Sequence, residues 1–175
     1  IIPLAKLSNH EERTKELLKE IICRSEKPVP RVHLKLAKML HRHRADDMLQ
    51  DAIQEYACIV EIAKGSSSVR TNRHAKKLRG PAHYGLALCW HRLGNHKRAA
   101  REYDHCEKYN VLQDYGLAAE SHYFNGNYLQ AMEYGSKQLH KESTSPAVET
   151  LLLMARICRG YFLSIRSYRG IDALD

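Results

Sequence analysis

The chain has 175 residues, with 28 Lys and Arg against 20 Asp and Glu and a formal net charge of +8. Its 43% apolar content is enough for a packed core in one ordinary domain or a short repeat array, which excludes wholesale disorder. No apolar run approaches the ~20 residues of a membrane span, and a start at Ile1-Ile2-Pro3, without Met or a leader, is expected of a fragment or a trimmed chain.

Helical periodicity runs through almost every segment. Ser8-Asn9-His10-Glu11 has the form of a capping box, predicting a helix with Leu17, Leu18, Ile21 and Ile22 on one stripe. Lys27-Pro28-Val29-Pro30 ends it, because proline cannot continue a helix and forces extended geometry on the residue before it. Residues 1–30 are therefore expected to form an N-terminal helix packed on the first hairpin of a helical domain over residues 31–175. A second helix is predicted over about Arg31–Arg44, with Leu36, Ala37 and Leu40 inward. A third follows from about Asp46, with Leu49, Ala52, Ile53, Tyr56, Ile59, Val60 and Ala63 at i, i+3, i+4, i+7 spacing.

Gly65-Ser66-Ser67-Ser68 breaks the pattern, and Arg70, Arg73, His74, Lys76, Lys77 and Arg79 follow before Gly80-Pro81. Residues 64–80 read as a basic, Ser-rich connection, whose basic half is a loop or an extension of a neighbouring helix. Beyond it a helix over about Pro81–Leu93 carries Leu86, Cys89, Trp90 and Leu93 on one face, and Gly94-Asn95 stops it. Its partner spans about Lys97–Tyr109 with Ala99, Tyr103 and Cys106. The next pair is predicted over about Gln113–Phe124 and Leu129–His140, around Gly126-Asn127. Pro146 opens a helix over Ala147–Arg159, Gly160 ends it, and Tyr161, Phe162, Ile165 and Tyr168 begin a last one.

Cys23, Cys58, Cys89, Cys106 and Cys158 form no C-x-x-C pair and are odd in number. They read as buried free thiols in a reducing compartment, so an intracellular protein of the cytoplasm or nucleus is expected. Cys106, with His105 beside it, is the only mild candidate for a reactive nucleophile and is set aside in favour of a buried structural thiol. There is no Gly-rich phosphate loop, no H-E-x-x-H and no strand for a nucleophile elbow, so no catalysis, cofactor or metal is expected. The eleven histidines read as surface residues, except His122, which occupies a packing position.

Self-comparison carries the most information. Ala87 and Ala119, Gly94-Asn95 and Gly126-Asn127, and Ala99 and Ala131 are each 32 residues apart, and Gly160 follows Gly126 by 34. A period near 34 in helix–turn–helix units indicates stacked hairpins. From Gly80 onward the chain resembles the tetratricopeptide repeat (TPR) family at Leu86-Ala87, Trp90, Gly94, Ala99 and Tyr103, and again at Ala119, Gly126, Ala131 and Tyr134. Arg31–Ala63 fits more loosely through Leu36-Ala37, Ala52 and Tyr56. The resemblance implies an all-α, TPR-like α-solenoid of stacked antiparallel helical hairpins.

It also implies a concave groove lined by the first helix of each hairpin. Residues there not needed for packing are Leu34, Lys35, Lys38, His41 and Arg42, then Tyr84, Leu88, His91 and Arg92, then Gln113, Leu117, Glu120 and Tyr123. The groove is expected to hold a partner segment carrying acidic and hydrophobic residues. A carboxylate clamp is disfavoured, since Tyr84, Leu88, Gly116 and Glu120 stand where it needs Lys, Asn and Arg. Two alternatives remain. The basic run through Arg70, Arg73, Lys76, Lys77 and Arg79 suits nucleic acid, and Leu151-Leu152-Leu153-Met154 with Tyr161-Phe162 suits self-association into a homo-oligomeric scaffold.

Overall fold

A computed structural model describes residues 4–42, 45–65, 69–141 and 146–171, with side chains described for 10–42, 45–65, 73–141 and 146–160. Within them the chain forms α1 (Leu4–Arg24), α2 (Pro30–Arg42), α3 (Asp46–Lys64), α4 (Val69–Arg92), α5 (His96–Lys108), α6 (Tyr115–Phe124), α7 (Tyr128–Lys141) and α8 (Pro146–Ile171). The described residues contain no strand. Each helix from α1 to α8 packs on the next, and α2 also touches α4, as α6 touches α8.

The apolar stripes drive this arrangement. All seven stripe residues of α3, from Leu49 to Ala63, are buried, and the six from Leu49 to Val60 meet Leu36, Ala37 and Leu40 of α2 and Ala82, Leu86 and Cys89 of α4 in one core cluster. A second cluster gathers Ala87, Ala99, Tyr103, Cys106, Ala118, Ala119 and Tyr134. Trp90 packs against both clusters, with the Arg98 guanidinium 4.5 Å from its ring, so one residue joins the two halves. Ala87, Ala99, Ala119 and Ala131 are fully buried, as close helix approach requires.

The two Gly-Asn turns are built alike. Gly94 and Gly126 have φ of +70° and +79°, a left-handed conformation that costs a residue with a Cβ. In the first turn Gly94 N donates to His91 O and Asn95 N to Trp90 O; in the second Gly126 N donates to Tyr123 O and Asn127 N to His122 O. Both are Schellman closures that satisfy the last carbonyls of a helix. Asn110 (φ 53°) closes α5 in the same way, and Asp114 caps α6 by accepting from Leu117 N at 3.0 Å.

Four sequence expectations are corrected. Ser8 lies inside α1, which already begins at Leu4, so it does not mark the start of the helix, and of the four expected stripe residues Leu18 and Ile22 turn to the core while Leu17 and Ile21 stay exposed. The helix expected to open at Pro81 begins earlier: α4 runs unbroken from Val69 through Gly80-Pro81, so of the two readings of the basic half of the 64–80 connection the helical one holds. Pro81 has no N–H for the carbonyl four residues earlier. The helix survives because Leu78 and Ala82, on either side, pack into the core, and Gly80 leaves room for Val111 and Tyr109. Gly160 does not stop α8, which continues to Ile171, so no turn divides the C-terminal segment. The last correction concerns histidine: His33, His83 and His122 are buried, and His41, His91, His96 and His105 are half-buried. Ser66–Ser68 and His43 fall outside the described residues, as do the side chains of Arg70, Tyr161, Phe162, Ile165 and Tyr168.

Candidate functional site

The histidines and their partners show how the helices are registered. His33 on α2 pairs with Glu55 on α3 at 2.6 Å, and His83 on α4 pairs with Glu102 on α5 at the same distance. His41 Nδ1 lies 3.1 Å from Cys89 Sγ, and His91 Nδ1 lies 2.8 Å from Ser121 Oγ. His83 and His91 each follow their counterparts by 50 residues, Glu102 follows Glu55 by 47, and Ser121 follows Cys89 by 32. The first helix of each pair therefore contacts its own second helix and the next first helix through equivalent residues. In the third pair the corresponding positions hold Tyr115 and Tyr134, whose rings stack at 6.2 Å in place of a His–Glu pair.

That registration opens a cavity of about 630 Å³ between α2 and α4. Lys38, His41 and Arg42 come from α2, Tyr84 and Leu88 from α4, and Val111 from the α5–α6 connection. Two flexible cations thus face an aromatic and aliphatic wall. Arg42 is 74% exposed, with Glu11 no nearer than 3.9 Å, and Lys38 is exposed, so both charges are open to solvent. Burial, with Arg92 nearby, pushes the His41 imidazole down to about 4, which leaves it neutral at physiological pH.

A second cavity of about 490 Å³ lies between α6 and α8, lined by Leu117, Glu120 and Tyr123 on one side and Val148, Leu151 and Met154 on the other. Its α6 wall is the counterpart of the first cavity's α4 wall, because Leu117 and Glu120 follow Gly85 and Leu88 by 32. Its chemistry differs: apolar side chains dominate, and Glu120 stands where the first cavity has Leu88.

Of the thirteen positions expected to line a groove, Lys38, His41, Arg42, Tyr84, Leu88 and Gln113 come together in the first cavity and Leu117, Glu120 and Tyr123 in the second. Leu34 is half-buried against the core, Lys35 is exposed outside both cavities, His91 is engaged by Ser121, and Arg92 donates from Nη1 to the His41 carbonyl at 2.8 Å. Sequence reasoning missed Val111, Val148 and Met154. Val111 belongs to a connection whose path is set by the Asn110 turn, and no periodic signal marks it. In the basic run Arg73, Lys76 and Lys77 are exposed on α4, while Arg79 lies over the Tyr109 ring at 5.3 Å.

The cysteines are free, with Cys89 and Cys106 buried, Cys58 and Cys158 half-buried and Cys23 exposed. Burial pushes the Cys89 and Cys106 thiols up to about 12, which removes their nucleophilic character at neutral pH. Among the described residues no group of His, Cys, Asp or Glu is placed to hold a metal ion, and no helix is long and apolar enough to cross a membrane.

The fold and these cavities define a class: an all-helical protein of consecutively packed helices with clefts between alternate ones. Compared with known proteins, the chain matches no family model, no curated protein and no solved structure.

Proposed function

We propose that the chain is a TPR-like α-solenoid module that binds, without catalysis, a partner segment carrying acidic and hydrophobic residues between α2 and α4. The observation that carries this reading is the juxtaposition of Lys38 and Arg42 with Tyr84 and Leu88 around one open cavity. A carboxylate would be drawn to the cations, and an adjacent apolar side chain would be desolvated against Tyr84 and Leu88. Support for the repeat arrangement comes from the matched Gly-Asn turns and from His–Glu contacts that recur between equivalent helices. The test is titration of a labelled peptide panel in which Asp or Glu alternates with Leu or Phe. Binding should weaken at least about tenfold in a Lys38→Glu, Arg42→Glu variant, and an unchanged affinity in that variant would refute the assignment.

A second reading, self-association, is favoured by α8, where Leu153, Met154 and Ile157 are 58%, 45% and 62% exposed beside the second cavity. A folded monomer exposing such a face is unusual. Light scattering of the parent and of a Leu153→Ser, Ile157→Ser variant distinguishes a dimer from a monomer.

A further inference from the structure

The N-terminal half of α4 has no counterpart in the other helix pairs. α2 has 13 residues and α6 has 10, whereas α4 has 24, and the excess precedes Pro81. Gly80 marks where this excess leaves the body of the molecule: a Cβ there would meet Val111 and Tyr109, which directly follow the end of α5. Residues 69–79 therefore run past the end of α5. They are held by α3, which packs against α4 and buries Val60 and Ala63 in its own last turns; Ala75 is fully buried and Leu78 joins the core cluster that contains Val60.

The outer face of this segment is cationic. Arg73, His74, Lys76 and Lys77 are all exposed, and among the described residues Arg73, Lys76 and Lys77 have no carboxylate partner. Glu61 near the end of α3 is already paired with Lys64 at 2.7 Å. No Asp or Glu occurs anywhere between Glu61 and Glu102. A positive field at this end is thus uncompensated by its own chain.

From these features we infer that the α4 extension is a docking surface for the phosphate backbone of a nucleic acid, independent of the α2–α4 cavity. Two observations favour this partner over an acidic protein or an anionic membrane. None of the large exposed apolar residues of the described chain lies on the extension, so its described side chains, residues 73–79, offer neither the buried anchor that protein interfaces rely on nor the apolar face that lipid insertion needs. Long exposed cations on successive helical turns, with no large exposed apolar side chain among residues 73–79, make contacts that are chiefly electrostatic, as phosphate contacts are. The nearest exposed aromatic, Tyr109, is already engaged by a stacked His83 and by the Arg79 guanidinium. Recognition is therefore of backbone charge, with little dependence on base sequence.

The test is fluorescence anisotropy of the whole chain with a labelled 20-nucleotide mixed-sequence RNA, its scrambled counterpart and a polyglutamate of equal length, titrated with salt. The two RNAs should bind alike and more tightly than polyglutamate, with affinity falling linearly in log salt. Replacing Arg73, Lys76 and Lys77 by Gln, a good helix former at exposed positions, should lower that salt slope by about two to three and the affinity at least about tenfold. Circular dichroism checks that the variant keeps its helix content. Lys38→Glu with Arg42→Glu should bind RNA as the parent does, since it alters only the cavity. The inference is overturned if the parent fails to bind RNA at low salt or binds polyglutamate as tightly. Equal binding by the Gln variant, or an equal loss in the cavity variant, overturns it as well.

Discussion

His83 Nδ1 on α4 lies 2.6 Å from Glu102 Oε2 on α5, and the same contact joins His33 to Glu55 between α2 and α3. Both histidines are buried while both glutamates keep about a fifth of their side chains in solvent, at 22% and 23%. A hydrogen bond to a charged group in such a place contributes about 1.5–3 kcal/mol. Glu102→Gln and Glu55→Gln should each lower stability by about that amount, read from chemical denaturation. Because the two pairs share no residue, the double variant should lose the sum of the single losses.

Stability should also depend on pH in opposite senses at two histidines. The Cys58 sulfur and the Glu55 carboxylate hold the His33 imidazole up at about 9 against burial. Its contribution is whole below the unfolded value of ~6.5 and fades as pH rises through about 9. His41, pushed down to about 4 by burial, acts the other way: stability falls as pH drops from ~6.5 towards 4. Thermal melts between pH 4 and 10 should therefore peak near neutrality. Glu55→Gln should flatten the alkaline limb and His41→Gln the acid limb; an alkaline limb identical in parent and Glu55→Gln contradicts the assignment.

Gly85 and Gly160 both sit inside helices and should respond oppositely to alanine. A Cβ at Gly85 would lie 2.3 Å from Cζ of buried Tyr56, where α3 crosses α4. Overpacking there costs about 1–3 kcal/mol, more than the ~1 kcal/mol alanine returns in helix propensity. At Gly160 a Cβ meets nothing within 4 Å, so Gly160→Ala should raise stability by up to ~1 kcal/mol. Equal shifts in the two melting temperatures would mean that the α3–α4 contact is looser than this geometry requires.

Tyr103 is fully buried, yet its hydroxyl has no hydrogen-bond partner among the described residues. A buried hydroxyl left unpaired is destabilising by about 1–3 kcal/mol. Tyr103→Phe should therefore leave stability unchanged or raise it by about 1 kcal/mol, whereas Tyr103→Ala should cost about 3–5 kcal/mol through the cavity it opens. A clear loss in Tyr103→Phe would show that the hydroxyl is satisfied by buried water.

Some of this was legible in the residues alone. The α3 stripe, the Gly-Asn turns and the buried alanines follow from local rules: a 3.6-residue period, a backbone needing positive φ, and small side chains where helices cross. Tyr134 illustrates the limit. It stands one residue before the position that Tyr103 fills, and Gly135 holds that position because Leu152 of α8 occupies the space, at 2.7 Å from where a Cβ would be. Only a contact with a distant helix explains the shift.

Local composition determined that this chain is helical and where most helices turn, because capping, periodicity and glycine geometry act within a few residues. Tertiary packing decided what happened at Gly80-Pro81 and Gly160. The first read as the point where a helix opens and the second as a stop, but burial around Leu78 and Ala82 outweighed the proline penalty at the first, and a glycine without positive φ does not end a helix at the second. Packing also decided the fate of the histidines, since whether an imidazole faces water or a glutamate depends on which helix lies opposite. The +8 charge was plain from the start. That part of it stands on a helical extension beyond α5, and part beside an apolar cavity, depended on long-range contacts that no local pattern encodes.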